Sequence, residues 1–559
     1  MEVTNEQLFS QLLAFGHEEF RPGQKAIIRH LLAGRDVLAV LPTGAGKSLS
    51  YQLTAQLLPG VTVVVSPLIA LMRDQIGAIE ARGLDAGVVN STVPEVEAKE
   101  ALRDALRGES KLLYVTPERL GDGLLVARMR WADVSLFVVD EAHCISEWGH
   151  DFRPSYLALG EAAKALGRPP ILALTATATP WVRDEIIEWL GMRDPALIVR
   201  GVDRPNLFLE VRRVEEESED RRVLHSLLFD GTEEYPEGIA SGLQEAMQGS
   251  GIVYTATTKK AEETAAWLRD WGIPADYYHG QAKQVDRERV QDQFMSGKLR
   301  VISATNAFGL GVDKQDVRFV IHRDVPGSLE AYYQEAGRAG RDGRLARCAL
   351  IYRPGDLSRA AFLSATGRLT PEDVARGRRA LRGGRALTLD ELAEAADLGG
   401  ADSARLAQSL LREGLAEETR GRYRLIASDF DPESVLLAAE ERRKAYERSR
   451  LGMMRGYAEL DDCRRRYLLN YFGEETEERC GCCDADVRVG RDRLRVAVAD
   501  VTGGAASPFA VGERVTHRTY GAGVVQRVAG DSLTVLFEES GYKTLATNLV
   551  VEGRLLKAA

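Results

Sequence analysis

The chain lacks long hydrophobic runs and it lacks an excess of positive charge. No stretch approaches the roughly 20 consecutive apolar residues that a membrane helix needs, and the first residues lack the basic and apolar regions of a secretory signal. These absences predict a cytoplasmic protein without a membrane partner. The net charge is −10, from 73 basic and 83 acidic residues, so any nucleic-acid binding must come from local basic surfaces.

Cysteine is also scarce, with six in 559 residues. Disulfides are rare in the cytosol, so these cysteines are expected to bind metal or to be small buried side chains. The length allows three to five domains of about 100–200 residues each. A hydrophobic content of 45% is ample for packed cores, and 28% charged residues indicates a soluble protein.

A glycine-rich turn follows an apolar run near the start of the chain. Residues 36–41 read as a buried strand, and the turn ends in Lys47 and Ser48 before a segment of helical spacing. This order is typical of a phosphate-binding loop, because backbone N–H groups and a helix N-terminus then face anionic oxygens. Lys47 is expected to reach the β- and γ-phosphates of ATP, and the Ser48 hydroxyl to bind Mg²⁺. The nucleotide-binding residues predicted in this loop are Thr43, Gly44, Ala45, Gly46, Lys47 and Ser48.

The motif Asp140-Glu-Ala-His143 also ends an apolar strand candidate, Ser135–Val139. Its carboxylates would be exposed at a sheet edge. Asp140 would hold the magnesium through water, and Glu141 would orient or deprotonate the attacking water. Each motif alone is weak, and Leu41 replaces the first glycine of the strict loop pattern. Found in order at comparable strand ends, the two motifs predict nucleotide hydrolysis.

Two halves of the chain repeat an alternation of apolar strands and amphipathic helices. The alternation predicts an α/β fold with two tandem parallel-sheet domains, each covered on both faces. The strand candidates are Val37–Leu41, Val61–Ser66, Leu112–Thr116, Leu136–Asp140 and Ile171–Thr175, then Ile252–Thr255, Ala275–His279, Val301–Ala304, Phe319–His322 and Cys348–Tyr352. The acidic segment Glu215–Gly238 is expected to be an irregular, mobile connection between the halves.

The second half contains Gln334-Glu-Ala-Gly-Arg-Ala-Gly-Arg-Asp-Gly343. Arg338 and Arg341, read as three apart on one helix face, suit a γ-phosphate because guanidinium is planar and permanently charged. An exposed Gly/Arg-rich segment is the alternative, but the nearby block Ala304–Asp313 favours catalysis. Arginines supplied by one domain to a nucleotide on the other would make ATP a clamp.

These blocks together make residues 10–355 resemble the RecQ family of superfamily 2 DNA helicases. The block Phe20-Arg-Pro-Gly-Gln24 resembles the family's adenine-recognition segment. It implies that Gln24 bonds the base edge while Phe20 or Arg21 stacks on it. The resemblance also implies catalytic and nucleotide-binding roles for Gln334 and Asp313, and two RecA-like domains. The implied activity is ATP-driven 3′–5′ translocation along single-stranded DNA with unwinding of tailed duplexes, in DNA repair, recombination or replication.

The same resemblance implies a path for single-stranded DNA. Most specific is Ala142–Pro154, which resembles the aromatic-rich loop of the RecQ family; the block at Thr175 is similar to one that couples hydrolysis to movement. Flat faces at Trp148, Phe152 and Arg153 would stack on bases, worth about 1–3 kcal/mol each, although these side chains could simply pack under a loop. The implied nucleic-acid residues are Ser66, Arg73, Thr116, Arg119, Trp148, His150, Phe152, Arg153, Thr175 and Thr177.

Four cysteines cluster late in the chain. Cys463 is followed after sixteen residues by Cys480-Gly-Cys-Cys483-Asp-Ala-Asp486, and Tyr457–Gly473 leads into them. This segment resembles the RecQ zinc module, which ordinarily uses four cysteines spaced x16, x2 and x2. The resemblance implies a structural Zn²⁺ on Cys463, Cys480 and Cys483, with Asp486 in place of the fourth cysteine, a ligand that zinc accepts. Cys482 as the fourth ligand and a metal-free module remain alternatives.

Basic residues of this module could follow duplex phosphates. They are Arg442, Arg443, Lys444, Arg464, Arg465 and Arg466.

The later part of the chain departs from the RecQ pattern. Between motor and zinc module, Pro371–Ile426 predicts a winged helix-turn-helix, with Thr388 as a helix cap and Gly399-Gly400 as the turn. The RecQ winged helix normally follows the zinc module. DNA contact and scaffolding are equally open for this insertion, because its second helix carries Arg405 and Arg412 but little more charge. The C-terminal segment, with short strands broken by glycines, resembles the Tudor-like barrel that ends UvrD-type helicases, which implies docking of RNA polymerase or a repair factor.

The predicted domains are two RecA-like domains at 1–205 and 206–356, a winged helix at 357–430, a zinc module at 431–487, a linker at 488–508 and a small β-barrel at 509–559. A monomer is expected. Two other functions stay open: an ATP-driven translocase or RNA remodeller that does not unwind DNA, and a DNA-bound regulator that uses ATP only as a switch.

Overall fold

The structure is a computed structural model that describes most of the chain. The described residues are 3–42, 45–67, 69–121, 124–146, 152–200, 203–230, 235–308, 314–356, 369–419, 422–427, 430–433, 448–474, 476, 478–488, 509, 513–529, 532–537, 541–546, 550 and 555–558. The chain divides into two compact units. The first comprises Met1–Gly201 and Thr366–Lys444, and the second comprises Val202–Ala365 and Ala445–Ala559.

The first unit is built on a seven-stranded parallel sheet of order β3-β4-β2-β5-β6-β1-β7. Its strands are β1 Val37–Val40, β2 Val61–Val65, β3 Ala86–Val89, β4 Leu112–Val115, β5 Val134–Val139, β6 Ile171–Thr175 and β7 Ala196–Val199. The helices are α1 Asn5–Ala14, α2 Gln24–Leu32, α3 Lys47–Leu57, α4 Ile69–Glu80, α5 Glu95–Arg107, α6 Pro117–Gly121, α7 Leu124–Met129, α8 Leu159–Ala165 and α9 Pro180–Trp189.

Side chains of the central strands pack on both faces of this sheet. In β1, Leu38 and Val40 join the core on one face, whereas Val37 and Ala39 join the core on the other. Strands buried on both sides read as continuous apolar runs, which is why the sequence predicts them well. The two edge strands, β3 and β7, were not predicted because they are short and only partly buried.

The second unit contains a six-stranded parallel sheet of order β10-β11-β9-β12-β13-β8. The strands are β8 Leu207–Arg213, β9 Ser250–Tyr254, β10 Ala275–Tyr278, β11 Val301–Ala304, β12 Val317–His322 and β13 Ala346–Tyr352. Its helices are α10 Asp220–Phe229, α11 Glu237–Gln248, α12 Thr258–Asp270, α13 Gln284–Met295 and α14 Leu329–Ala336. The predicted pair of RecA-like parallel-sheet domains is therefore confirmed.

The prediction of an irregular, mobile segment over Glu215–Gly238 is wrong. Helix α10 occupies much of it, and the segment begins shortly after strand β8 ends at Arg213. Asp220, the first residue of α10, is fully buried and forms ion pairs with Arg323 and Arg353. The acidic composition concealed a carboxylate that two buried guanidinium groups require.

The inserted segment contains three helices followed by a hairpin, the element order of a winged helix. The helices are α15 Pro371–Ala380, α16 Leu389–Ala396 and α17 Gly400–Arg412, and the hairpin joins β14 Ala416–Thr419 to β15 Arg422–Leu425. Thr388 caps α16 as predicted, because its side chain accepts a hydrogen bond from the Glu391 N–H. Leu392, Leu406, Leu410 and Tyr423 form the centre of a separate small core.

The zinc-module segment packs on the second sheet. Its helix α18, Arg464–Tyr471, is held through Asp484, which accepts hydrogen bonds from the Val211 N–H of β8 and from Arg464. The hydroxyls of Tyr332 and Tyr457 lie 2.9 Å apart, which joins α14 to the same module. The module is therefore part of the second unit.

The C-terminal residues form a five-stranded antiparallel sheet of order β19-β18-β17-β16-β20. The strands are β16 Arg514–His517, β17 Gly521–Ala529, β18 Ser532–Phe537, β19 Gly541–Ala546 and β20 Leu556–Ala558. Its closure into a Tudor-like barrel and its docking role stay predictions. Among the helices that the structure describes, none combines the length and apolar character needed to cross a membrane.

Candidate functional site: a glycine-rich turn in the first unit and a cysteine cluster in the second

The glycine-rich turn lies where strand β1 passes into helix α3. Gly46 has a left-handed backbone, with φ of +72°, directly before Lys47 begins the helix. A Cβ atom at Gly46 would come within 2.7 Å of the Gln24 Nε2 atom. Thr43 and Gly44 lie outside the described residues. The described part of the turn therefore has the strand, left-handed glycine and helix start that a phosphate loop requires.

Gln24 is buried and its side chain is hydrogen-bonded to the backbone of the turn. Its side-chain amide donates hydrogen bonds to the carbonyls of Ala45 (3.2 Å) and Gly46 (2.9 Å), and its Oε1 atom accepts one from the Arg21 N–H (2.8 Å). Arg21 is exposed, whereas Phe20 is partly buried against the cluster of α1, α2 and α3. In this structure Gln24 thus links the predicted adenine segment to the phosphate loop.

The carboxylates of the second motif lie beside Lys47. Glu141 Oε1 is 3.9 Å from Lys47 Nζ, and the Asp140 carboxylate accepts a hydrogen bond of 3.0 Å from the Glu141 N–H. Burial and then the Glu141 charge raise the pKa of Asp140 to about 7, while Lys47 opposes the rise. A bound cation would favour the ionised form of Asp140, so Asp140 and Ser48 fit a Mg²⁺ ion.

Glu141 is held in an unusual backbone conformation. Its φ is +48°, a left-handed value that costs about 1–2 kcal/mol for a residue with a Cβ. Its buried Oε2 atom accepts no hydrogen bond among the described residues and lies 3.4 Å from His143 Nδ1. A carboxylate oxygen kept in this way can accept a proton from a water molecule, which is the role the sequence predicts.

His143 connects this motif to strand β6. Its Nδ1 atom lies 2.9 Å from the Thr175 hydroxyl, which donates to the Thr177 carbonyl at 3.1 Å. Because that hydroxyl donates elsewhere, Nδ1 is the donor in the first contact. The Thr175–Thr177 block therefore contacts the hydrolytic motif directly.

The residues predicted to bind single-stranded DNA fall into two groups. Arg73 is exposed, and Arg119, Phe152 and Arg153 are partly exposed. Ser66, Thr116, Thr175 and Thr177 are buried. Thr175 and Thr177 are enclosed beside the His143 motif, and contact of these four residues with nucleic acid stays a prediction. Trp148 and His150 lie outside the described residues.

The base of the predicted aromatic loop is well defined. The Arg153 N–H donates to the Cys144 carbonyl at 2.8 Å, and Arg153 Nη1 contacts the Pro67 carbonyl at 3.4 Å. Phe152 packs partly against the core below. The two ends of the loop are thus joined next to the Asp140–His143 motif.

In the second unit, the predicted helix face carrying Arg338 and Arg341 is wrong. Helix α14 ends at Ala336, and Gly340, with φ of +60°, lies in the turns that follow. A Cβ atom at Gly340 would collide with Asn206 Nδ2, so glycine is favoured by both conformation and space. Gln334 is on α14, and Asp313 lies outside the described residues.

Tyr254, at the end of β9, was not predicted as a site residue from the sequence. Its hydroxyl donates to the Phe308 carbonyl at 2.8 Å and accepts a hydrogen bond from Arg338. Burial raises the pKa of Tyr254 far above its ordinary value, and the nearby Arg338 and Arg341 oppose that rise. The signal was a tyrosine closing an apolar strand, a position where it reads as core.

The predicted metal ligands come together. One donor atom from each of Cys463, Cys480, Cys483 and Asp486 lies within 4.8 Å of the others. Cys482 is not in the set, because its Sγ atom contacts the Pro205 carbonyl at 3.7 Å. The alternative with Cys482 as the fourth ligand is therefore not supported.

Hydrogen bonds prepare the cluster for a cation. Cys463 Sγ accepts from the Cys480 N–H (3.3 Å), and Cys483 Sγ accepts from the Asp486 N–H (3.4 Å). Arg479 binds Asp486 Oδ1 at 2.7 Å, and Oδ2 faces Cys480 Sγ at 3.2 Å. Hydrogen bonds from Cys480 and Cys483 lower the pKa of the Cys463 thiol. Asp486 Oδ2 also accepts a hydrogen bond of 3.0 Å from the Gly481 N–H. Three thiols and this carboxylate oxygen are the kind of donors that fit a tetrahedral Zn²⁺ site.

Arg464 is buried and pairs with Asp484, so its predicted contact with phosphates is wrong. Arg465 is partly exposed and pairs with Asp203, and Arg466 pairs with Asp462. Residues 442–444 lie outside the described residues.

Three family models match the chain. They are the DEAD/DEAH box helicase over residues 21–185, the helicase conserved C-terminal domain over 235–343 and the RecQ zinc-binding domain over 418–487. The third match begins at the hairpin of the insertion and ends after the metal cluster.

Two curated relatives from Bacillus subtilis (strain 168) cover most of the chain. The probable ATP-dependent DNA helicase RecS is 38% identical over 477 residues, which is 84% of this chain and 89% of that protein. The ATP-dependent DNA helicase RecQ is 34% identical over 537 residues, 95% of this chain and 74% of that protein. Among solved structures, the DUF1998 helicase MrfA bound to DNA is similar in fold, with a TM-score of 0.51 and 16% identity over 80% of this chain and 61% of that one.

Proposed function

Since this chain belongs to the RecQ family of ATP-dependent DNA helicases, we propose that it moves 3′ to 5′ along single-stranded DNA and unwinds tailed duplexes. We further infer that this activity serves DNA repair, recombination or replication. Hydrolysis of ATP provides the energy for each step. Membership of the family supports ATP hydrolysis and action on DNA. The direction of movement and the biological role are proposed in addition.

The observation that carries the proposal is the contact of Lys47 with the strained Glu141, 3.9 Å apart. Lys47 binds the phosphates, and Glu141 takes a proton from the attacking water through an oxygen that accepts no other hydrogen bond from the described residues. Asp140 and Ser48 would hold Mg²⁺, which neutralises phosphate charge when bound. His143 and Thr175 pass a change at this site to strand β6.

Arg338 and Arg341 are assigned to the γ-phosphate. Permanently charged guanidinium groups stabilise the charge that builds on phosphoryl oxygens, and the loss of such an arginine costs about 10³-fold or more in turnover. Tyr254 would fix the direction of Arg338 through its hydroxyl.

The zinc module is proposed to hold one structural Zn²⁺ on Cys463, Cys480, Cys483 and Asp486. Four protein ligands leave no open position, so the metal would stabilise the module rather than take part in catalysis. Metal analysis of purified chain should give one zinc per chain, and Asp486→Ala should lower the occupancy while Cys482→Ala leaves it unchanged. Equal occupancy in wild type and Asp486→Ala would refute the ligand assignment.

The main experiment compares unwinding of 3′-tailed and 5′-tailed DNA duplexes and of a 3′-tailed RNA duplex. Only the 3′-tailed DNA should be opened, and only with ATP and Mg²⁺. Lys47→Ala should abolish hydrolysis by loss of phosphate binding. Glu141→Gln, which keeps the size of the side chain, should bind ATP and fail to hydrolyse it.

The outcomes separate the competing functions. Stimulated hydrolysis without strand separation would indicate a translocase, and opening of RNA alone would indicate an RNA remodeller. ATP binding without turnover in wild type would indicate a regulator that uses ATP as a switch.

A further inference from the structure

The inserted winged helix belongs to the first unit and packs on the 3₁₀ turn Pro154–Ala158. Helix α17 lies against this turn. In DNA-reading helix-turn-helix domains, the second helix of the motif enters the major groove. Here that helix, α17, packs against the motor domain.

One packing contact and one electrostatic interaction also link the insertion to the motor domain. Leu389, at the start of α16, packs partly against the motor core that contains Tyr156, Leu157 and Leu159. It also packs against the small core of the insertion, so one side chain joins both cores. On the hairpin, burial raises the pKa of Tyr423, and the carboxylates of Glu418 and then of Glu161 on α8 raise it further. Helix α17 therefore meets the turn Pro154–Ala158, Leu389 of α16 packs against the motor core, and the hairpin lies near enough to α8 for Glu161 to act on Tyr423.

The turn that receives the insertion is connected to the hydrolytic motif. Tyr156 is fully buried, and its hydroxyl donates a hydrogen bond of 2.9 Å to the main-chain carbonyl of Asp140. The next bond toward the site is from the Glu141 N–H to the Asp140 carboxylate. Tyr156 thus fixes the peptide that sets the direction of both carboxylates.

The same turn is connected to the predicted DNA path. The Ser155 hydroxyl donates to Glu118 at 3.1 Å, on the helix that follows Thr116. The Tyr156 N–H donates to the Arg153 carbonyl at 2.9 Å, at the base of the aromatic loop. The turn is therefore hydrogen-bonded both to the segments predicted to bind DNA and to Asp140, and it also contacts the insertion.

We propose that the inserted winged helix is a positioning element of the ATPase site. It supports the turn Pro154–Ala158 so that the Tyr156 hydroxyl holds the Asp140 carbonyl and keeps Asp140 and Glu141 aimed at the nucleotide. Tyr156 and Leu389 are positioning residues, since neither touches ATP. This inference rests on the proposed function only where it concerns stimulation of ATP hydrolysis by DNA.

The test uses the full-length chain and three single variants. Tyr156→Phe removes the hydroxyl and little else. Leu389→Ala removes the contact that joins the two cores. Leu398→Ala is the matched control, because Leu398 packs partly against the insertion's core and not against the motor core. ATP turnover is measured with and without oligo(dT), and oligo(dT) affinity is measured separately.

The expected result is a selective fall in kcat. One net hydrogen bond is worth about 0.5–1.5 kcal/mol, so Tyr156→Phe should lower kcat about two- to tenfold with KM for ATP and oligo(dT) affinity unchanged. Leu389→Ala should lower kcat in the same way, and Leu398→Ala should not. The double variant Tyr156→Phe with Leu389→Ala should lose less than the product of the single effects, because both act through one turn.

Two outcomes would overturn the inference. One is equal turnover in Leu389→Ala and Leu398→Ala when zinc content and thermal unfolding show both folded. The other is a loss of oligo(dT) affinity with kcat at saturation intact, which would make the insertion a DNA-binding domain. If wild type hydrolyses ATP without any response to oligo(dT), the proposed function fails, and the positioning role is judged on basal kcat alone.

Discussion

In nucleotide-free protein, Asp140→Asn is expected to stabilise the first unit at alkaline pH. The pKa of the carboxyl rises from 3.8 in the unfolded chain to about 7 in the fold, so the folded chain keeps a proton that the unfolded chain releases. Stability therefore falls as pH rises between these values. Each pKa unit corresponds to about 1.4 kcal/mol. The raised pKa of Asp140 therefore lowers the free energy of unfolding by at most about 4 kcal/mol at pH ~8 and by about 1–2 kcal/mol at pH ~5. Asparagine keeps an acceptor for the Glu141 N–H and carries no charge.

Thermal unfolding of metal-free protein across this pH range measures the effect. The unfolding temperature of a domain of this size changes by about 2–4 °C per kcal/mol. The difference in unfolding temperature between Asp140→Asn and wild type should therefore be about 5–10 °C larger at pH ~8 than at pH ~5. The chain has several domains, and the relevant transition is the one that ADP with Mg²⁺ displaces in wild type.

Asp36→Asn is the matched control with the opposite sign. Burial alone would raise the pKa of Asp36, but hydrogen bonds from Arg168 and from two backbone N–H groups outweigh it and lower the pKa. That carboxylate stabilises the fold above its unfolded pKa, so Asp36→Asn should destabilise the protein at alkaline pH. A constant separation between wild type and Asp140→Asn from pH ~5 to pH ~8 would refute the reasoning.

Three further predictions follow from buried charges and backbone geometry. Arg347→Ala leaves the fully buried Glu210 without its main cation and should cost about 3–5 kcal/mol in denaturant unfolding, whereas a loss below about 1 kcal/mol would contradict the burial. Gly46→Ala forces a Cβ into a left-handed position and should weaken ATP binding about tenfold in a nucleotide titration, and unchanged affinity would argue against the loop geometry. Arg464→Ala should lower the unfolding temperature and leave the salt dependence of DNA binding unchanged, since the side chain is enclosed; a smaller salt slope would mean that it contacts phosphates.

Local patterns made the motor domains and the metal ligands predictable. Parallel strands buried on both faces are continuous apolar runs, so β1, β2, β4, β5 and β6 were predicted from apolar runs that alternate with amphipathic helical segments. The ligand positions follow the spacing of the RecQ zinc module that this segment resembles. The resemblance is why Asp486 was identified as the fourth donor even though it is not a cysteine.

Charge was the poorest guide, because the partner of a charged residue is set by packing. Arg464 lies in a basic run that resembles a phosphate-binding surface, yet Asp484 and the Val211 N–H meet beside it only when the zinc module packs on β8. Asp220 is the corresponding case for an acidic residue. It lies in an acidic stretch that was predicted to be mobile, yet its carboxylate forms a buried ion pair with Arg323. Neither pairing has a sequence spacing that could reveal it.

The packing of the inserted winged helix on the motor domain could not be predicted from the sequence for a related reason. A winged helix could be predicted from the helix cap at Thr388 and the alternating hairpin, but its buried surface is divided between its own core and that of the motor. Leu389 belongs to both cores, and nothing in its helical spacing distinguishes it from Leu392, which belongs to one. Where two domains pack, the residue that decides function can have the same pattern as one that only fills a core. Tyr156 illustrates the consequence, since its hydroxyl reaches the Asp140 carbonyl from a position that reads as buried aromatic core.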